Sequence, residues 1–355
     1  MLFALTLLLA TGIALYVAPL LIHAAERYGI LDHGDGKLKE QHKPVAYLGG
    51  LVVFIAMLVA LSVTQEFDAR LMALLLGASL VVSVGLVDDL GTLVPKDKLL
   101  GQILAALVLV KGGITIHLDA VPWYVADVAT VFWIVSVTNA FNILDVSDGL
   151  CAGVGAVAGL VLGLWCLHTG LTAEAFLCAA LCGGLVGFLR HNWRPARMYL
   201  GDTGSMLVGI TLAAVTVMSQ YSQQNPVAPL ITPLAILAVP LFDMTFVVVC
   251  RMHLGLRIYH GSPDHFAVRL RRHGVSPARI AAGAMVITAL CSLGGVAAAR
   301  ADVRIALAVG IMGMAFSLLA GMLLWRVDPR KVPAPVPADR TQTAAEPRGE
   351  RELVG

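Results

Sequence analysis

Long apolar runs constrain this chain of 355 residues more than any other feature. A membrane-spanning helix needs about 20 mostly apolar residues. Candidate spans lie at 2–22, 47–64, 71–87, 99–113, 122–144, 152–168, 173–190, 204–220, 229–250, 279–298 and 303–326, eleven in all. The fourth is the shortest, so ten is the alternative count. Hydrophobic residues make up 58% of the chain and charged ones 14%, with a mean hydropathy of +0.82. Ordinary soluble domains carry about 45–50% and about 25%. A net charge of +2 without a Lys/Arg block excludes a nucleic-acid binder, and the apolar content excludes a disordered chain. The expected fold is an all-α polytopic membrane bundle.

Positive charges set the expected orientation. Loops on one side, with the C-terminal tail, hold 21 of the 25 Lys and Arg residues; the other side holds Arg70, Lys111, Arg300 and Arg304. The positive-inside rule then puts the N-terminus outside and the C-terminus in the cytoplasm. The first span has no preceding Lys or Arg and reads as a permanent helix rather than a cleavable signal. Residues 1–326 form the expected membrane domain. Residues 327–355, rich in Pro, Ala and charge, read as a disordered tail. The six cysteines lie in or beside apolar runs and read as small buried hydrophobes.

Acids gather on the expected cytoplasmic side. Lys37, Lys39, His42 and Lys43 precede Gly49-Gly50, either as a plain positive-inside loop or as one facing phosphate or nucleotide. Asp88-Asp89 closes the third span, and adjacent carboxylates require a cation or a shared proton. Lys96 and Lys98 follow within reach of an anion. In Asn139-x-x-Asn142-x-x-Asp145-x-x-Asp148-Gly149-Leu150 each step of three residues turns the polar stripe by about 60° on an ideal helix. The four cannot share one helix face, so the helix should end near Leu144, with both aspartates on a turn closed by Gly149. Gly201-Asp202-Thr203-Gly204-Ser205 opens another span, where Thr203 or Asp202 can cap and free N–H groups attract phosphate. The loop from Arg251 to Arg279 holds Asp264, His265 and Arg269; its histidines lack zinc-ligand spacing, and it reads as anion-contacting. Asp243 lies inside a span, as a functional acid or a helix-to-helix bond.

These segments, in this order, resemble the polyprenyl-phosphate N-acetylhexosamine-1-phosphate transferase superfamily. The matching residues are Asp88-Asp89, the Asn139 to Leu150 motif, Gly201 to Ser205, the Lys-rich first loop with Gly49-Gly50, and Pro240-x-x-Asp243. The resemblance runs from about residue 30 to 280. Two positions depart from the family pattern: Val146 stands where glycine is usual, and Ser262-Pro263-Asp264-His265-Phe266 replaces a His-rich run. The second departure favours the GlcNAc branch over the cell-wall pentapeptide translocases.

The resemblance implies transfer of a sugar-1-phosphate from a UDP-N-acetylhexosamine to undecaprenyl phosphate, releasing UMP, in cell-wall or lipopolysaccharide assembly at the bacterial inner membrane. Mg²⁺, or Mn²⁺ in its place, would be held by Asn142 and Asp202. Asp88 would deprotonate or orient the lipid phosphate, with Asp89 as its electrostatic partner, and Asp145 and Asp148 would line the nucleotide or metal region. Lys37, His42, Lys96, Lys98, Asn139, Asp264, His265 and Arg269 are the expected substrate contacts. The expected partners are the two substrates and the bilayer, with a homodimer as a further option. The same chemistry on another UDP-sugar, a 6-deoxy-N-acetylhexosamine or MurNAc-pentapeptide, is the alternative, and a lipid or ion transporter is the reading from another class.

Overall fold

The structure, a computed structural model, describes residues 1–32, 44–91, 93–116, 122–219, 221, 225–257 and 263–327. Lys37, His42 and the tail from residue 328 onward lie outside the described residues. The helices are α1 (Leu2–Tyr28), α2 (Gly49–Thr64), α3 (Ala69–Asp89), α4 (Pro95–Lys111), α5 (Trp123–Leu144), α6 (Leu150–His168) and α7 (Thr172–Asn192). They continue as α8 (Gly201–Met218), α9 (Ala228–Ile236), α10 (Ala238–His253), α11 (Phe266–Arg272), α12 (Pro277–Arg300) and α13 (Val303–Trp325). Two short strands, β1 (Leu31–Asp32) and β2 (Val45–Ala46), pair antiparallel between α1 and α2, with Leu31 opposite Ala46.

Each expected span is helical, and the ninth is broken. α9 and α10 meet at 81°, where Pro240 lacks an N–H and its ring excludes the carbonyl one turn back. Eight described helices are long and apolar enough to cross a bilayer, or nine if the bent pair is one span. α2 has only 16 residues, and α4 opens with Lys96, Asp97 and Lys98, so these two fall short of the length and composition of a full crossing. Asp127 lies in the second turn of α5, close to its N-terminal end.

Small residues set the packing. The buried positions of α1 recur nearly every fourth residue, at Thr6, Ala10, Ala14, Ala18, Ile22 and Ala25, and this stripe meets α7. Membrane helices gain from such close approach because lipid offers no hydrophobic penalty to drive them together. The innermost helices are α6, α7 and α8, with 72–78% of their apolar windows buried, whereas none of the window of α13 is. α8 packs against α3, α5 and α2.

The first turn of α8 is wedged between α2 and α3. A Cβ on Gly50 would stand 2.3 Å from the Gly204 nitrogen, and one on Gly85 would stand 2.5 Å from the Thr203 Cα. Gly49 and Gly50 also donate backbone bonds to the Tyr199 and Leu200 carbonyls at 3.1 and 3.0 Å. The expectation that this glycine pair admits a ligand phosphate is therefore corrected: the backbone it admits belongs to α8. Gly50→Ala and Gly85→Ala should each destabilise the detergent-solubilised protein by about 1–3 kcal/mol or more. Gly283→Ala, whose Cβ meets nothing within 4 Å, should be neutral or stabilising. Thermal melting of the three variants checks both.

Candidate active site

A helix begins with N–H groups that have no partner within the helix, and its dipole favours negative charge there. At α8 that charge is Asp89. Its Oδ1 accepts from the Asp202 N–H at 2.7 Å, and its Oδ2 from the Thr203 N–H and hydroxyl at 3.1 and 2.6 Å. The N-cap residue itself, Leu200, offers no side-chain bond. Two expectations change here. Neither Thr203 nor Asp202 caps α8, and the N–H groups of these two residues are taken by a carboxylate of α3 rather than left for phosphate. Gly201 has φ +70°, and a Cβ there would lie 2.6 Å from Asp89 Oδ2, so glycine lets the carboxylate in.

Asp88 is rotated by about 100° from its neighbour on the helix and faces elsewhere. Its Oδ2 lies 2.9 Å from Lys98 Nζ, and the same ammonium is paired with Asp202 Oδ2. Asn142, in the last turn of α5, donates from Nδ2 to Asp202 Oδ1 at 2.7 Å and to Ser205 Oγ at 3.0 Å. Three stretches far apart in the chain thus converge on Asp202.

α5 ends at Leu144, and Gly149 takes φ 72°, as the motif spacing predicts. On the turn between them, Asp145 accepts a bond from the Gly201 backbone. Burial, together with the charges of Asp202 and Asp89, pushes its carboxyl up to about 8. Asp148 is also raised by burial, against the pull of the Ala196 N–H at 3.3 Å and of Arg194 at 3.9 Å. Arg271 of α11 acts on it in the same direction. The turn is fixed by Asn192, which accepts from the Gly149 N–H and donates to the Met198 carbonyl, both at 2.9 Å.

Other expected contacts sit differently. Asn139 exchanges bonds with buried Gln102 of α4 at 2.6 and 3.5 Å and also donates to the Val135 carbonyl. Its amide ties α4 to α5, which corrects its expected place among the substrate contacts. Arg269 is likewise corrected. It is buried, paired with Asp264 at 3.0 Å, and bonded to the Asp264, Leu324 and Val327 carbonyls. A guanidinium spent on the protein in this way holds α11 and α13 together and not a phosphate. His265 Nδ1 lies 2.9 Å from Asp243 Oδ2, and the Phe266 N–H donates to Asp243 Oδ1 at 2.9 Å. Asp243 is therefore a helix-to-loop tie. Lys96 is exposed.

Sequence reasoning missed Gln102, the fixing role of Asn192, and the pairing of Arg194 with Asp148. Only their polarity at helix ends or between apolar runs could have drawn notice to them.

The donor set suits a divalent cation. Carboxylate and amide oxygens are hard ligands. Lys98 already places a positive charge between Asp88 and Asp202. Among the described residues, no three His, Cys, Asp or Glu side chains stand close enough to ligate a metal as they are. The oxygens that would hold the ion are those of Asp202 and Asn142, two side chains that meet at one point.

A bundle of apolar helices with an anionic cluster at the ends of α3, α5 and α8 defines a membrane-embedded site for charged substrates. Comparison with known proteins makes this specific. The Glycosyl transferase family 4 pattern matches residues 71–220, which include Asp88, Asn142 and Asp202. The "Probable undecaprenyl-phosphate N-acetylglucosaminyl 1-phosphate transferase" of Bacillus subtilis is 28% identical over 271 residues, 74% of this chain and 75% of that protein. The decaprenyl-phosphate N-acetylglucosaminephosphotransferase of Mycobacterium leprae is 30% identical, covering 67% of this chain and 69% of its own. A phospho-N-acetylmuramoyl-pentapeptide-transferase of Carboxydothermus hydrogenoformans is 30% identical over 52% of this chain and 64% of its own. The chain belongs to the polyprenyl-phosphate N-acetylhexosamine-1-phosphate transferase superfamily and is a membrane phosphosugar transferase.

Asp89→Ala should lower stability by about 1–2 kcal/mol through loss of the α8 cap. Thermal melting in detergent checks this, and an unchanged melting curve would remove the capping role.

Proposed function

We propose that this protein transfers GlcNAc-1-phosphate from UDP-GlcNAc to undecaprenyl phosphate, releasing UMP, with Mg²⁺ bound at Asp202 and Asn142. The observation that carries this reading is the meeting of Asp88, Lys98, Asn142 and Asp202 around one point at the helix ends. The bias of 21 positive residues to one side supports placing that end in the cytoplasm of the bacterial inner membrane, with the N-terminus outside.

The reaction joins two anions. An oxygen of the lipid phosphate bonds to the phosphorus that carries the sugar, and the bond from that phosphorus to the UMP oxygen breaks. Bound Mg²⁺ would supply Lewis-acid charge neutralisation on the diphosphate. Asp88 orients the lipid phosphate and takes its proton when it arrives monoprotonated. Lys98 offers a point charge to the phosphate oxygens. Asp145 and Asp148 line the nucleotide side, with Arg194 beside Asp148. Asp89 acts through the backbone of α8 by fixing where Asp202 stands. The departure from the His-rich run at 262–266 supports the GlcNAc donor, and UDP-MurNAc-pentapeptide is the competing donor to test.

Membranes containing the protein, given UDP-GlcNAc, undecaprenyl phosphate and Mg²⁺, should release UMP. Asp88→Asn should slow release by about 10²–10⁴-fold, the range for loss of a positioned acid or base. Asp202→Asn and excess EDTA should stop it. Full turnover in EDTA would overturn the magnesium assignment. UMP release with the pentapeptide donor alone would overturn the sugar.

A further inference from the structure

We infer that Lys98 is a built-in competitor for the divalent cation: its ammonium occupies the cation's side of Asp202 until anionic substrates draw it away. This rests on the magnesium site proposed above, and it concerns what guards that site before substrates bind.

Both oxygens of Asp202 are engaged. Oδ1 carries the Asn142 amide at 2.7 Å, and Oδ2 carries the Lys98 ammonium. The same ammonium reaches Asp88 Oδ2 at 2.9 Å, so it bridges the two carboxylates nearest the proposed reaction centre. Its side chain is only 15% exposed. Among the described residues, the cations Arg194 and Arg271 act on Asp148 instead.

A divalent ion that takes Asp202 Oδ2 must displace the ammonium or sit beside it, and either costs binding free energy through like-charge repulsion. Lysine suits such a role, being a compact charge on a flexible four-carbon stem with three rotatable donors. It can leave a carboxylate for a phosphate oxygen by turning about that stem. Metal and phosphate binding then become coupled: each is tighter when the other is present, because the phosphate provides the displaced charge with a new partner. The metal-free carboxylates meanwhile share one counter-charge, and the cluster holds together between turnovers.

The test measures metal uptake rather than turnover. Mn²⁺ is titrated into the purified, full-length protein in detergent, and free Mn²⁺ is followed by its paramagnetic resonance signal. Uptake at the site is the part that Asp202→Asn abolishes. Lys98→Gln should reach half-saturation at a Mn²⁺ concentration about tenfold lower than wild type, and Lys98→Arg, which keeps the charge, should stay near wild type. Because Lys98→Gln leaves two carboxylates facing each other, Asp88→Asn is compared with Asp88→Asn/Lys98→Gln as a less strained pair, and the same direction is expected. Equal or weaker uptake after loss of Lys98 in both pairs would overturn the inference while leaving the metal site standing. The absence of any uptake sensitive to Asp202→Asn in every form would overturn the magnesium reading and the inference with it.

Discussion

The carboxylate of Asp89 seated on the first turn of α8 is the contact on which the site depends. It joins the end of one helix to the beginning of another through three hydrogen bonds, two of them to backbone. Because Asp202 lies within that turn, its position is inherited from α3. The glycines at 50 and 85 complete the arrangement by letting three backbones meet without side chains between them. Two adjacent aspartates thus divide their work: Asp89 builds the frame, and Asp88 is left to face Lys98.

A second carboxylate system performs a similar structural task around α10 and α11. Asp243 holds the segment at 265–266, and Asp264 with Arg269 fixes α11 against the end of α13. Arg271 lies on the same short helix and acts on Asp148. The loop between α10 and α12 is therefore tied from within, and one of its cations is delivered to the acidic turn.

Much of this was legible in the residues. Apolar runs reveal helices because a bilayer demands them, and the boundary at Leu144 follows from a polar spacing that no single helix face can carry. The meeting of Asp88, Asn142 and Asp202 was expected from their residue types and from family resemblance. The division between framework and chemistry was not legible, since Asp88 and Asp89 are the same residue type and differ only in the direction each faces. Asn139 and Asn142 lie three residues apart in one motif, yet one meets Gln102 and the other Asp202. For Gly49-Gly50 the sequence leaves a plain loop and a ligand-facing pair both open, because it cannot say whose backbone comes close. The break between α9 and α10 had a visible cause in Pro240, but a proline within an apolar run does not fix the angle.

The grip of Arg269 on the carbonyls of Leu324 and Val327 has a bearing on where the folded unit stops. Hydropathy draws the edge at residue 326, yet a buried guanidinium draws an acceptor from one residue beyond it. A chain shortened inside that last turn would take two carbonyl acceptors from a buried guanidinium and leave it with Asp264 as its hydrogen-bond partner, at the cost of unsatisfied donors. The final helix is thus bolted to the body from beneath, although Ala306 is the only one of its residues that is buried.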